Sequence, residues 1–147
     1  MVFNIQNISH NLGQKFSPFA QLTLRVGIAL VFIWFSIRQF FDPYNYIGYL
    51  PDFLFFSEYA VQIIYANATF ELIGAILLIL GYYHRIVGFL FAVHLLFILP
   101  ELGWTDTLAR DVGLLFASLA IAFSDDTRYT IERKLAQKKT GAKYTKD

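Results

Sequence analysis

The 147-residue sequence contains no cysteine. That absence excludes disulfides, thiol redox relays, iron–sulfur ligation and thiolate metal sites together. Methionine occurs once, at position 1, and only one of the three histidines, His94, falls well inside an apolar run, so this chain alone cannot hold a bis-histidine haem. No metal or cofactor site is expected from its own residues. Glycine-rich phosphate cradles, serine nucleophile elbows and paired metal motifs are also missing, which makes a self-contained enzyme hard to build. Charge is scarce as well: charged residues are 16% of the chain, against about 25% in an ordinary soluble domain. No nucleic-acid surface is expected. The N-terminal stretch MVFNIQNISHNLGQKF lacks a basic start, an apolar core and a small-residue cleavage site, so the first apolar helix is expected to target the chain.

What is abundant is apolar and aromatic surface. Hydrophobic residues reach 56% and aromatic residues 18%, with many Phe and Tyr flanking the apolar runs as interfacial belts do. Four apolar stretches, at about 21–39, 61–80, 84–99 and 107–123, approach the roughly 20 helical residues needed to cross a hydrocarbon core. So little polar chain could not shield four such stretches from water. The expected fold is therefore all-α, one domain over 1–147: a transmembrane four-helix bundle with a short interfacial segment between the first and second spans. Gly81 suits the end of the second span and Pro100 the end of the third. The connection FFDPYNYIGYLPDFLFFSEYA, with Pro43 and Pro51 among its aromatic rings, reads as a short interfacial helix or lid, with a docking loop or a plain connector as alternatives.

Orientation follows from the short loops. The turn GYYHR carries Arg85, and the tail carries Arg128, Arg133, Lys134, Lys138, Lys139, Lys143 and Lys146, so both belong in the cytoplasm. The connections containing Asp42, Asp52 and Glu58, and Glu101 and Asp106, carry no Lys or Arg and belong outside. Four crossings then put both termini on the cytoplasmic side of a cell membrane. The basic tail is expected to lie near anionic headgroups.

A few polar residues interrupt the spans: Arg25, Arg38, Asn67, Glu71, His94, Arg110 and Asp111. An ionisable group in mid-membrane costs about 2.5–3.5 kcal/mol on insertion scales, so such groups should face the bundle and find partners. Arg38, Asn67, Glu71, His94, Arg110 and Asp111 are expected as a cluster in the outer half, in which Glu71 pairs with Arg110 or Arg38 and Asp111 with the other arginine. Three packing faces are expected beside it: Asn67, Glu71, Gly74, Ala75 and Leu78 on the second span, Gly27, Val31, Trp34 and Arg38 on the first, and Arg110, Gly113 and Ala117 on the fourth. Each polar residue also has a plain structural role open to it. Glu71 can fix helix register and His94 can be a hydrogen-bonded interior histidine. Asp111 suits a helix start beside a snorkelling Arg110, and Arg25 and Arg38 can snorkel from span ends.

The runs FELIGAILLILGYYHRIVGFLFAVHLL, ARDVGLLFASLAIAF and LRVGIALVFIWFSIRQFFDP resemble the DoxX family of small four-helix membrane proteins, over about residues 20 to 125. Ser36, Ile37 and Arg38 stand where a glycine and a lysine or arginine are expected near the outer end of the first helix, so the glycine is missing. The resemblance implies association with quinone-linked sulfur oxidation, as in family members that serve as small subunits of quinone oxidoreductases. Three functions fit: an accessory subunit beside a membrane redox partner, with a quinone contact; an oligomeric transporter of a small solute or proton using Glu71 and His94; and an outer-surface enzyme that borrows its electron route.

Overall fold

A computed structural model describes residues 5–124 of the protein. Helix α1 (Ile5–Phe41) leads through a 3₁₀ segment (Pro43–Tyr49) and one turn of helix, α2 (Asp52–Phe55), into α3 (Ala60–Leu80). Helix α4 (His84–Ile98), a 3₁₀ turn (Leu99–Leu102) and α5 (Asp106–Ala122) complete the described chain. No strand occurs among the described residues.

Helix bounds follow from local chemistry. Gly81 adopts the left-handed conformation (φ 66°), with Tyr82 N–H on the Leu77 carbonyl and Gly81 N–H on the Leu78 carbonyl, the pair of bonds that closes a helix C-terminus. Tyr83 is also left-handed (φ 50°), which holds the α3–α4 turn to three residues. Pro100 ends the α-helical part of α4 at Ile98 and continues it as a 3₁₀ turn. Thr105 caps α5, its hydroxyl accepting from Leu108 N–H at 3.3 Å. The first span, expected at about 21–39, falls within the apolar segment Phe19–Phe41, while helix α1 itself begins at Ile5 and runs 37 residues, about 55 Å. Its apolar part is Phe19–Phe41, so helicity continues past the point where the apolar composition stops. The tail beyond Ser124, with its basic residues, lies outside the described residues.

Three segments are long and apolar enough to cross a membrane: Phe19–Phe41, Ala60–Leu80 and His84–Leu102. Only 28–33% of each apolar window is buried inside the protein. Trp34, Leu30, Ile73, Phe89, Phe97 and Phe116 stand more than half exposed, which suits lipid and not water. Helix α5 is shorter, 17 residues, and carries Arg110 and Asp111 in its second turn.

The helices pack as two pairs. α1 lies along α3 and α4 along α5, and the pairs meet less closely, through α3 on α4 and α1 on α5. The buried stripe of α1 is Arg25, Ile28, Ala29, Phe32, Ser36 and Gln39, and that of α3 includes Ala68, Glu71, Gly74, Ala75 and Leu78. The α3 stripe matches the expected face. The α1 stripe does not: Gly27, Trp34 and Arg38 share a helical line but lie on the exposed side, about one residue out of register with the core. A similar correction applies to α5, where Gly113 is exposed and nothing approaches it, while Ser118 and Ala122 take the close contact. There α4 supplies the glycine. A Cβ on Gly88 would stand 2.9 Å from the Ser118 carbonyl oxygen and 3.0 Å from the Ala122 nitrogen, so α4 and α5 touch backbone to backbone.

Candidate functional site

Two ends of the bundle differ. At the turn end, where Gly81–Tyr83 joins α3 to α4, the interior is filled by Ile28, Ala29, Phe32, Ala75, Leu78, Phe91 and Ile121. Phe32 from α1 and Phe91 from α4 stack with ring centres 3.8 Å apart and so tie the two pairs together. Phe70 meets Phe91 edge-on at 5.7 Å, and a Cβ on Gly74 would lie 2.6 Å from the Phe91 ring, which explains the small residue there.

At the other end, under the Pro43–Phe55 connection, the pairs diverge around a cavity of about 320 Å³. Its walls are largely apolar: Val31, Phe32 and Phe35 from α1, Ile63 and Ile64 from α3, Leu95 and Ile98 from α4, and Leu114 from α5. Tyr46, Tyr49, Leu50, Pro51, Phe53 and Leu54 of the connection line it too, so this segment is a roof over the cavity. The roof packs on the lid ends of α1 and α3 and on the Leu99–Leu102 turn. Its fold begins at Asp42, whose carboxylate accepts from the Asn45 amide.

The polar side chains lining the cavity belong to four helices. Glu71, 4% exposed, is the centre of one group. Its Oε2 accepts from Gln39 Nε2 at 2.7 Å, and its Oε1 accepts from Asn67 Nδ2 at 3.1 Å and meets His94 Nε2 at 3.1 Å. The Asn67 amide also donates to Gln39 Oε1 at 2.8 Å, closing the network. One turn earlier on α1, Ser36 donates to the Ala68 carbonyl at 2.7 Å and holds α1 against α3 in this register. The second group is on α5: Arg110 Nε donates to Asp111 Oδ1 at 2.7 Å, and the guanidinium lies 4.3 Å from the centre of the Phe35 ring. Asp111 is buried, whereas the Arg110 side chain is 40% exposed.

Five of the six residues expected as a cluster, Asn67, Glu71, His94, Arg110 and Asp111, line this one cavity. Arg38 does not; it is exposed on the outer side of α1. The expected pairing of Glu71 with an arginine is replaced by two amides and an imidazole, and Asp111 takes its own neighbour Arg110. The reason is geometric, since the residue of α1 that faces Glu71 is Gln39, about 100° around the helix from Arg38. Gln39 is the site residue that sequence reasoning missed. Its signal was the spacing Phe32, Ser36, Gln39, a turn-by-turn repeat that sets an uncharged amide on the same face as two buried residues. Arg25, for which facing the bundle and snorkelling were both open, is 2% exposed at the turn end, and His84 is buried there too.

The stretch holding Gln39, Asn67, Glu71 and His94 falls within residues 20–104, and these residues match the model of the DoxX family. The chain belongs to the DoxX family. The match covers more than half of the chain, from the apolar part of α1 to the loop before α5, so Arg110 and Asp111 lie beyond it. No curated protein and no solved structure matches this DoxX family member. As an arrangement, the site offers a hydrogen-bonded polar floor under an apolar chamber of a size that suits a small ligand, in the lower part of the usual range of about 300–1,000 Å³.

Proposed function

We propose that this DoxX family membrane protein crosses the bilayer four times, with both ends on the cytoplasmic side, and that its roofed cavity holds a small ring-shaped molecule of quinone type for a redox partner in the same membrane. The observation that carries this reading is the joining of a buried polar network, Gln39–Asn67–Glu71–His94, to an apolar chamber of about 320 Å³. An apolar ring fits the walls, and its polar substituents fit the floor. The residues supply no electron route of their own, which favours an accessory role. Charge asymmetry between the loops supports the orientation, with the roof outside. Tags on the two ends should both report the cytoplasmic face; opposite faces would rule out four crossings.

The test of the cavity uses purified protein in mild detergent and a short-chain benzoquinone, followed by calorimetric titration. Saturable binding is expected. Leu114→Trp, which fills the chamber, should weaken it at least tenfold while leaving the helical circular dichroism unchanged. Heat that never saturates, or that Leu114→Trp leaves intact, would remove the proposal.

Transport of a proton or small solute through an oligomer is the second reading. In its favour is the contact between Glu71 and His94, two groups able to pass a proton between α3 and α4. Against it stands the packed turn end, where Phe32, Phe91 and Leu78 close the way beyond the cavity. Liposomes should show no flux that Glu71→Gln abolishes.

A further inference from the structure

The cavity has edges on the flank of the bundle as well as under the roof. Of the residues that line it on α1, α3, α4 and α5, two are exposed: Phe97 of α4, at 70%, and Arg110 of α5. They stand at the two seams where the helix pairs meet. Arg110 reaches Phe35 of α1, and Phe97 follows His94, which touches Glu71 of α3.

The two seams are closed differently. Arg110 crosses from α5 to lie 4.3 Å from the Phe35 ring centre while its Nε donates to Asp111 at 2.7 Å, so that edge is both bridged and charged. Between α3 and α4 the contacts stop short of the roof. The helices are held together by the turn that joins them, by Phe70 on Phe91, and finally by Phe70 and Glu71 on His94, at 5.4 and 3.1 Å. From His94 towards the roof, no hydrogen bond, ion pair or ring contact joins α3 to α4 among the described residues. Asn67 is turned to Gln39 and Glu71, which leaves the edge to Ile63 of α3 and to Phe97 and Ile98 of α4. All three are apolar. Phe97 belongs to the apolar span His84–Leu102, so its outer side meets lipid.

We infer that, on the ring-binding reading proposed above, the molecule held is membrane-resident: a ring carrying a long hydrocarbon tail, which leaves the cavity between α3 and α4, past Ile63 and Phe97, into the lipid. At about 320 Å³ the chamber stands near the lower bound of ligand sites and takes a ring with short substituents, so a long tail lies outside it. The edge at Phe97 lets a tail pass at little cost, because apolar side chains and lipid tails are equivalent surroundings for it. The edge at Arg110 does not, since a tail there would displace the guanidinium from Phe35 and lie against a charge. Phe97 is thus a specificity-determining residue that touches the tail and not the ring.

The test uses full-length wild-type protein in phosphatidylcholine nanodiscs and a trimethylbenzoquinone whose decyl tail carries a diazirine four carbons from the ring. Light fixes the tail to whatever it touches, and peptide mass spectrometry locates the bond. Labelling is expected on residues 63–70 and 94–98, which flank the open edge. It should fall about tenfold when a short-chain benzoquinone is present at about ten times its dissociation constant. Labelling that the competitor leaves unchanged reports a tail lying on the outer surface and overturns the inference. Competed labelling around Phe35 and Arg110 or on the roof overturns it too, as does a short-chain benzoquinone that binds while the tailed probe labels nothing. In all three cases a saturable calorimetric titration with the short-chain benzoquinone leaves the cavity reading standing. If that titration never saturates, the cavity reading itself fails and this inference with it. Because the tail is located on wild-type protein, misfolding of a variant cannot obscure it.

Discussion

The same four helices build both ends of this bundle, yet one end is solid and the other hollow. At the turn end the backbones of α4 and α5 touch at Gly88, and Ala75, Leu78 and Phe91 are fully buried. At the lid end aromatic and branched side chains hold the pairs apart, and polar groups from α1, α3 and α4 meet only through hydrogen bonds. The difference has a physical basis. Between helices in lipid, burial of apolar surface provides little drive, because lipid tails are as apolar as leucine. Cohesion then resides where backbones approach closely and van der Waals contact is dense. A chamber can open only where that contact is not needed, and Glu71 with its three partners keeps the chamber's polar floor satisfied.

Breaking the solid end should have the largest effect. In Gly88→Leu, the new Cβ alone would meet α5 backbone atoms at 2.9 and 3.0 Å, and backbone cannot yield without moving the helix. Overpacking of this kind costs about 1–3 kcal/mol and sometimes more, and the upper end, about 3 kcal/mol, is expected here. Thermal unfolding in detergent measures it. A melting temperature equal to wild type would mean that the turn end is not where cohesion lies.

Most of the fold was legible because a membrane imposes few solutions. The bounds at Gly81 and Pro100 and the small-residue stripe of α3 could be read directly, since turn chemistry and helical period decide them, whereas the connection from Pro43 to Phe55 could be read only as a lid, a docking loop or a plain connector. Register could not. On α1, Gly27, Val31, Trp34 and Arg38 make a regular line, but in a helix apolar on every side the polar–apolar contrast that reveals a buried face is missing, and the line chosen was the exposed one. The same lack of contrast hid Gly88, whose role depends on what α5 places opposite. At the site, the search for polar residues inside the spans pointed to Asn67, Glu71, His94, Arg110 and Asp111, which line the cavity, and to Arg38, which does not, and it passed over Gln39 at the end of the first span. An uncharged amide proved to be the partner that a buried carboxylate takes when no arginine reaches it.

A smaller effect is expected at the hollow end. Glu71→Gln keeps the shape but presents an amide N–H to Gln39 Nε2, donor against donor, so at least one of the three hydrogen bonds is lost. Stability should fall by about 1 kcal/mol, as for one unmade hydrogen bond. Affinity for the benzoquinone should suffer more than stability does, because the cavity floor loses part of its hydrogen-bonded arrangement. If unfolding instead shows a loss as large as that of Gly88→Leu, cohesion and the polar floor are not separate properties.

The smallest effect should come from the rim. Arg110 is partly exposed and holds Asp111 while lying on Phe35. Arg110→Lys keeps the charge near Asp111 but loses the flat stacking of the guanidinium, so the change should stay within about 0.5 kcal/mol at this exposure. A double-mutant cycle of Arg110→Lys with Phe35→Leu isolates the stacking term, expected at about 0.5 kcal/mol. The cycle matters because Phe35 and Arg110 come from α1 and α5, which belong to different helix pairs. Weak coupling means the pairs can part at the rim at little cost, as admitting a ring under the roof requires. Coupling of about 2 kcal/mol or more would lock the pairs together at both ends, and a ligand would then have to enter through the roof alone.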